Sequence, residues 1–224
     1  MNILISGGAK NGKSYYAQKL AKQMAENGAD CGKIQTVPLY YIATMIPYDE
    51  EDHARIRRHI AERAGWGFET LECGKNLRRL LQNDDATTRQ RSDAAVQYQD
   101  STMTQETETK CDAEIETKCS ADFGIDPRGV FLLDSVTALL SNEMFREDGT
   151  MDPSAPERVA EDCTAFARAT GNTVFVSDYI YADADRYDAM TEDYRQGLAW
   201  VDRQLAKVCD RVVEVSAGVI TDWK

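Results

Sequence analysis

Residues 7–14 constrain the fold of this chain more than any other part of its sequence. They read Gly7-Gly8-Ala9-Lys10-Asn11-Gly12-Lys13-Ser14 and fit the pattern G-x-x-x-x-G-K-[ST] of a phosphate-binding P-loop. An apolar run of strand length, residues 2–6, precedes the motif, and residues 14–26 carry apolar side chains at helical spacing. A glycine-rich turn that fits the pattern by chance rarely lies between a strand and an amphipathic helix. The segment therefore predicts a nucleotide-binding site.

The residue types of this segment suit an anionic ligand. Glycines let the backbone approach closely, so that its N–H groups and the helix N-terminus face a phosphate. We expect Lys13 to neutralise β- and γ-phosphate oxygens and the Ser14 hydroxyl to bind Mg²⁺. The expected ligands are therefore GTP or ATP together with Mg²⁺.

A second apolar run, residues 129–134, ends in the carboxylate of Asp134. After a P-loop, this is the pattern of a Walker B strand, whose acid reaches Mg²⁺ or its water shell. Other apolar runs alternate with helical patterns along the chain, which predicts a parallel sheet with helices on both faces. We therefore expect an α/β fold of the P-loop NTPase type in a single domain over residues 1–224. Ligands in such sheets bind at the carboxyl ends of the strands, where Gly7, Thr44, Asp134 and Asp178 are expected to lie.

Residues 83–127 interrupt this pattern with a stretch rich in Thr, Asp, Glu and Gln. Eleven acidic and four basic residues between Asp84 and Asp126 contribute −7 to the net charge of −12. With few large apolar side chains, the stretch buries too little surface to offset the entropy of ordering it. We expect an exposed, mobile insertion within the domain, and a partner-binding segment is the less favoured alternative.

Composition excludes several classes of protein. A charge of −12 disfavours nucleic acid as a ligand, because its phosphates would be repelled. No apolar run approaches membrane-spanning length, and the chain enters its first strand without a signal-peptide pattern, so a cytoplasmic protein that does not bind membranes is expected. Six scattered cysteines without zinc-site spacing predict free thiols.

Taken in order, the motifs resemble one family, the bifunctional adenosylcobinamide kinase / adenosylcobinamide-phosphate guanylyltransferases of cobalamin biosynthesis. The resemblance covers nearly the whole chain except the acidic insertion. It is carried by the P-loop, by Tyr-Ile-Ala-Thr at 41–44, by Ala-Arg-Ile-Arg-Arg-His at 54–59, by Phe-Glu-Thr-Leu-Glu at 68–72 and by Leu-Leu-Asp-Ser-Val-Thr-Ala-Leu-Leu-Ser-Asn at 132–142. The segment at 54–59 is much more specific than the P-loop, which many proteins share.

The resemblance gives His59 a role that its position alone does not. In such enzymes a histidine of this segment attacks the α-phosphorus of GTP, releases pyrophosphate and holds GMP as a phosphoramidate. The GMP then passes to adenosylcobinamide phosphate. A neutral imidazole is a competent nucleophile near pH 7, and the covalent step divides one difficult transfer into two. Without the resemblance, His59 and His53 are both surface histidines on a charged helix, and His53 keeps that interpretation.

The resemblance also implies a set of GTP contacts, a corrinoid substrate and a homo-oligomeric assembly. The implied contacts, besides the P-loop, are Ala43, Thr44, Met45, Ile60, Ala61, Glu62, Arg63, Glu72 and Asp134.

One loop departs from the family pattern. Asp178-Tyr179-Ile180-Tyr181 stands where the family has Asn-Glu-Val-Gly, so that Tyr179 replaces the glutamate. Two alternatives to the family reaction therefore stay open: a P-loop kinase or nucleotidyltransferase with another acceptor, and a non-catalytic nucleotide-binding protein that uses the insertion as an interaction arm. The presence of Lys13, Ser14, His59 and Asp134 argues against the second alternative.

Overall fold

The computed structural model describes residues 1–27, 37–81, 125–182 and 184–224. Its strands are Ile3–Gly7 (β1), Leu39–Ala43 (β2), Glu69–Glu72 (β3), Val130–Asp134 (β4), Thr173–Asp178 (β5), Arg211–Ser216 (β6) and Val219–Asp222 (β7). Its helices are Lys13–Asn27 (α1), Glu50–Glu62 (α2), Val136–Met144 (α3), Ala155–Thr170 (α4) and Ala189–Val208 (α5), with a 3-10 helix at Leu77–Leu81.

The seven strands form one sheet in the order β3-β2-β4-β5-β1-β6-β7. Strands β1 to β6 run parallel to one another, and β7 pairs antiparallel with β6 as a terminal hairpin. Strand β5 lies between β1, which leads into the P-loop, and β4, which ends in Asp134. The predicted mostly parallel α/β sheet is confirmed.

Helices cover both faces of the sheet. On one face, Ile3 and Ile5 of β1 pack with Ala17 and Ala21 of α1. On the other, Leu4 of β1 belongs to a larger core formed with α3, α4, α5 and the 3-10 helix. Adjacent residues of β1 thus point to opposite cores, as the alternation of a strand requires. Because both faces are buried, the central strands are continuous apolar runs.

Local sequence sets the ends of several elements. Asp49 begins α2, and its side chain accepts a hydrogen bond from the Asp52 amide. Ser135 begins α3 in the same way by accepting from the Ala138 amide. Strand β3 starts only at Glu69, because Gly65 and Gly67 adopt positive φ angles of 79° and 84° that turn the chain after α2.

Most of the predicted acidic insertion, residues 83–127, lies outside the described residues, and its mobility stays a prediction. Its last three residues are described. Ile125 is buried in the core of the α3–α5 face, and the Asp126 amide donates to the Tyr40 hydroxyl. Ile125 and Asp126 therefore pack with the domain, although the composition assigns them to the insertion.

Among the described cysteines, Cys73, Cys163 and Cys209 are buried free thiols, as predicted. In the described segments, none of the helices is long and apolar enough to span a bilayer.

Candidate active site

The P-loop connects β1 to α1 at the carboxyl edge of the sheet. Gly7 is required there by packing, since a Cβ at this position would lie 2.2 Å from the carbonyl oxygen of Val215 on β6. Gly12 is required by conformation, with a φ of 83°. The Gly7 carbonyl accepts a hydrogen bond from the Tyr179 amide, which fastens the loop after β5 to the start of the P-loop.

Lys13 is 4% exposed and points back across the loop. Its Nζ donates to the Gly8 carbonyl and to Asp178 Oδ1, both at 2.6 Å. Asp178 is the last residue of β5 and lies beside Gly7 in the sheet. Sequence patterns placed Asp178 at the correct edge but gave no sign of this ion pair, which depends on β5 being the neighbour of β1.

Sheet register brings three further predicted residues together. Ala43 at the end of β2 pairs with Glu72 of β3 on one side and with Asp134 of β4 on the other. Glu72 is exposed, whereas Ala43 and Asp134 are half-buried. The predicted nucleotide contacts of β2, β3 and β4 therefore form one row at the carboxyl edge.

Tyr41 supports Asp134 from within the sheet. Its hydroxyl donates to Asp134 Oδ2 at 2.8 Å. The guanidinium carbon of Arg63 lies 3.6 Å from the centroid of the Tyr41 ring, and Arg63 is 7% exposed. Arg63, expected as a GTP contact, is thus packed on Tyr41 and ends the helix that carries His59.

Thr44 is fully buried and braces the same edge. Its Oγ1 donates to the Ser135 carbonyl and accepts from the Ser135 amide, so it joins the ends of β2 and β4. The side-chain amide of Asn142 donates to the carbonyls of Thr44 and Gly74. The Thr44 hydroxyl is occupied by these backbone hydrogen bonds, so Thr44 would contact a ligand through its main chain. The next residue, Met45, is half-buried.

His59 lies in the last turn of α2 and is partly exposed. The turn after α2 reaches the P-loop helix, because Trp66 packs edge-on against Tyr15 with ring centroids 5.9 Å apart. Tyr15 follows Ser14 directly, and Lys22 of α1 lies 5.5 Å from the Trp66 ring. Ile60 and Ala61 beside His59 are exposed, and Glu62 is described only as part of the helix backbone.

A buried polar cluster, which no pattern in the sequence indicates, anchors the loop that follows β5. Asp202 of α5 is 5% exposed, and its Oδ2 accepts from Ser177 Oγ at 3.0 Å and from the Tyr181 hydroxyl at 2.8 Å. Burial raises the pKa of the Asp202 carboxyl to about 6. The anchored loop borders a cavity of about 380 Å³ that Tyr179, Tyr181, Glu214 and Trp223 help to line.

The predicted metal ligands suit Mg²⁺ in chemistry. Ser14 offers a hydroxyl and Asp134 a carboxylate, and oxygen atoms of this kind are the donors that Mg²⁺ prefers. Tyr41 fixes one oxygen of Asp134, which orients the other. Over the described ranges no cluster of three His, Cys, Asp or Glu side chains could hold a metal ion.

Comparisons with known proteins agree with this arrangement of motifs. A family model described as CobU, cobinamide kinase / cobinamide phosphate guanyltransferase, matches residues 3–121 and 103–222. The bifunctional adenosylcobalamin biosynthesis protein CobU of Salmonella typhimurium is 24% identical over 98% of this chain and 97% of its own length.

Two solved structures are similar over most of the chain. The first is an ATPase domain with a TM-score of 0.42 at 12% identity, and the match covers 95% of this chain and 68% of that one. The second is the flagellar accessory protein FlaH from Methanocaldococcus jannaschii, with a TM-score of 0.37 at 11% identity and coverage of 99% and 75%.

Proposed function

The chain belongs to the cobinamide kinase / cobinamide phosphate guanyltransferase family, and on that premise we propose that it carries out both reactions of cobalamin biosynthesis that the family name describes. It phosphorylates adenosylcobinamide with GTP or ATP. It then transfers GMP from GTP to adenosylcobinamide phosphate through a GMP adduct on His59.

One observation carries this proposal. The helix of His59 ends at Arg63, which stacks on Tyr41, and Tyr41 donates to Asp134, the acid expected to hold Mg²⁺. The candidate nucleophile and the candidate metal ligand thus belong to one connected unit. An exposed histidine on an unrelated surface helix would need no such connection.

In the proposed first transfer, an imidazole nitrogen of His59 attacks the α-phosphorus of GTP. A P–N bond forms, the P–O bond to pyrophosphate breaks, and pyrophosphate leaves. A phosphate oxygen of adenosylcobinamide phosphate then attacks the same phosphorus and displaces the imidazole. Lys13 and the P-loop amides bind the phosphates throughout. Ser14 and Asp134 would hold Mg²⁺, which would neutralise charge on the phosphate oxygens.

Intact-mass spectrometry after incubation with GTP and Mg²⁺ tests the covalent step. We expect a GMP adduct on the wild-type protein and none on His59→Ala. His53→Ala is a matched control, because His53 lies on the same helix and is exposed. An adduct that persists in His59→Ala, or a wild type that binds GTP without forming one, would contradict the proposed guanylyltransferase mechanism.

A second candidate is a kinase or nucleotidyltransferase with another acceptor. It is favoured by the aromatic lining of the cavity beside the P-loop, where Tyr179 replaces the family glutamate. Direct assay of cobinamide phosphorylation separates the two, since only the first candidate predicts a phosphorylated corrinoid.

A further inference from the structure

Asp178 occupies the central position of the proposed site. It ends β5, the strand inserted between the P-loop strand and the strand of Asp134. Its backbone is fixed independently of its side chain. The Asp178 amide donates to Thr137 Oγ1 at 2.8 Å, and the next amide, that of Tyr179, donates to the Gly7 carbonyl. The carboxylate is therefore held at a defined place beside the P-loop.

The bond to Lys13 sets the distance between Asp178 and a bound nucleotide. An ammonium group has three donors, and Gly8 and Asp178 take two of those of Lys13. The third can serve a phosphate oxygen, at about 2.8 Å for a charged pair. Two acceptors that share one ammonium lie within about 5 Å of each other. The Asp178 carboxylate would thus lie close to the γ-phosphate.

Phosphoryl transfer needs a proton acceptor at this distance. The attacking hydroxyl oxygen lies about 3–3.5 Å from phosphorus in a reactive complex. Its base lies about 2.6–3.2 Å from that oxygen. A hydroxyl between the γ-phosphorus and Asp178 satisfies both conditions.

The other carboxylates of the described carboxyl edge are less suited to this role. Asp134 is bonded to Tyr41 and is the proposed Mg²⁺ ligand. Glu72 lies on the edge strand β3, which is three positions from β5 in the sheet. The residue after Asp178 is Tyr179, which carries a phenol instead of a carboxylate.

We propose that Asp178 is the catalytic base of the kinase reaction, an assignment that rests on the proposed function. The acceptor hydroxyl gives its proton to the Asp178 carboxylate while its oxygen forms a bond to the γ-phosphorus. The bond from the γ-phosphorus to the bridging oxygen breaks, and the nucleoside diphosphate leaves. The proton then returns to solvent. The transfer of GMP to His59 releases no hydroxyl proton and does not require Asp178.

Asp178→Asn tests the assignment, because it keeps the shape of the side chain and removes its basicity. Three quantities are compared with the wild type: kcat for phosphorylation of cobinamide, Kd for GTP, and the yield of GMP adduct. We expect kcat to fall about 10²- to 10⁴-fold, the range for loss of a general base, with Kd changed less than about fivefold and the adduct retained. Asp126→Asn, at the opposite edge of the sheet, should leave all three unchanged.

The outcomes separate the possibilities. A kcat within about threefold of wild type in Asp178→Asn overturns the assignment, and so does a parallel loss of GTP affinity and adduct, which would mean that Asp178 acts only by positioning Lys13. Asp178→Glu provides a second variant that keeps a carboxylate, and activity above that of Asn is expected. A wild type that binds GTP but does not phosphorylate cobinamide overturns the proposed function and this assignment with it.

Discussion

The guanidinium of Arg63 lies 3.6 Å from the centre of the Tyr41 ring, and this contact joins the histidine helix to the central sheet. The Tyr41 hydroxyl extends the connection to Asp134. Phe68 packs edge-on against the same tyrosine. A single strand residue thus contacts the end of α2, the turn that follows it and the expected metal ligand.

Tyr41→Phe keeps the ring and removes the hydroxyl that donates to Asp134. We expect a loss of stability of about 1.5–3 kcal/mol, as for other hydrogen bonds to a charged group. We also expect a severalfold higher Mg²⁺ concentration for half-maximal activity, since Asp134 is less well oriented. Titration of activity with Mg²⁺ measures the second effect. Tyr40→Phe loses a bond to the Asp126 amide at the other edge, so its Mg²⁺ midpoint should equal that of wild type. Equal midpoints in both variants would contradict the role given to Tyr41.

Lys13→Ala should weaken binding of GTP. Loss of a charged hydrogen bond costs about 1.5–3 kcal/mol, which corresponds to roughly 10- to 100-fold in Kd. Calorimetric titration with GTP and Mg²⁺ measures the change. Lys10→Ala, an exposed position of the same loop, is the control and should change Kd much less. Similar losses in both variants would mean that the loop binds phosphate by overall charge rather than through Lys13.

Gly7→Ala should unfold the protein or lower its melting temperature strongly. The added methyl group would lie 2.2 Å from the backbone oxygen of Val215, which cannot move without breaking the pairing of β1 with β6. At Gly8 the nearest atom is the flexible side-chain nitrogen of Asn11, at 3.1 Å. Gly8→Ala should therefore melt within a few degrees of wild type. Thermal unfolding followed by circular dichroism measures both melting temperatures. Similar melting temperatures for Gly7→Ala and Gly8→Ala would contradict the prediction.

Asp202 should make stability depend on pH. Its pKa in the folded protein is about 6, against 3.8 for an ordinary aspartate, so the folded state binds the proton more tightly than the unfolded state. The contribution of this group to stability is therefore full below pH 4 and is lost as pH rises through 6, by at most about 3 kcal/mol. Urea unfolding at pH 5 and pH 7.5 should show a smaller difference for Asp202→Asn than for wild type. Asp210 is exposed, so Asp210→Asn should show the same change in unfolding free energy between pH 5 and pH 7.5 as the wild type. If Asp202→Asn showed that full change as well, Asp202 would not be its source.

Sequence patterns predicted the parts of this molecule that are contiguous in the chain. The strand before the P-loop, the helix after it and the apolar run that ends in Asp134 are each encoded locally, and the structure has all three. Strand order is not encoded in that way. Because β5 enters between β1 and β4, Lys13 meets Asp178 across 165 positions of sequence, and no periodicity indicates such a pair.

Several contacts between side chains and the backbone could not be predicted either, because their partners are far apart in the sequence. Asn142 bonds Thr44 and Gly74, which precede it by 98 and 68 positions, and its place in a buried helix turn gave no sign of either partner. Asp202 falls on an amphipathic helix, where a carboxylate is usually a solvated side chain. Its burial follows from the path of the loop after β5, which brings Tyr181 over it.

The contact of Arg63 with Tyr41 attaches α2 to the sheet at the carboxyl end of the helix, so a tilt of the helix would pivot there. His59 lies four residues from Arg63, about 6 Å along the axis, whereas Glu50 lies about 20 Å away at 1.5 Å per residue. A tilt of about 20° about this point would carry the start of the helix through roughly 7 Å and His59 through only about 2 Å. With so short a lever arm, a tilt of α2 about Arg63 would move His59 much less than it would move the start of the helix.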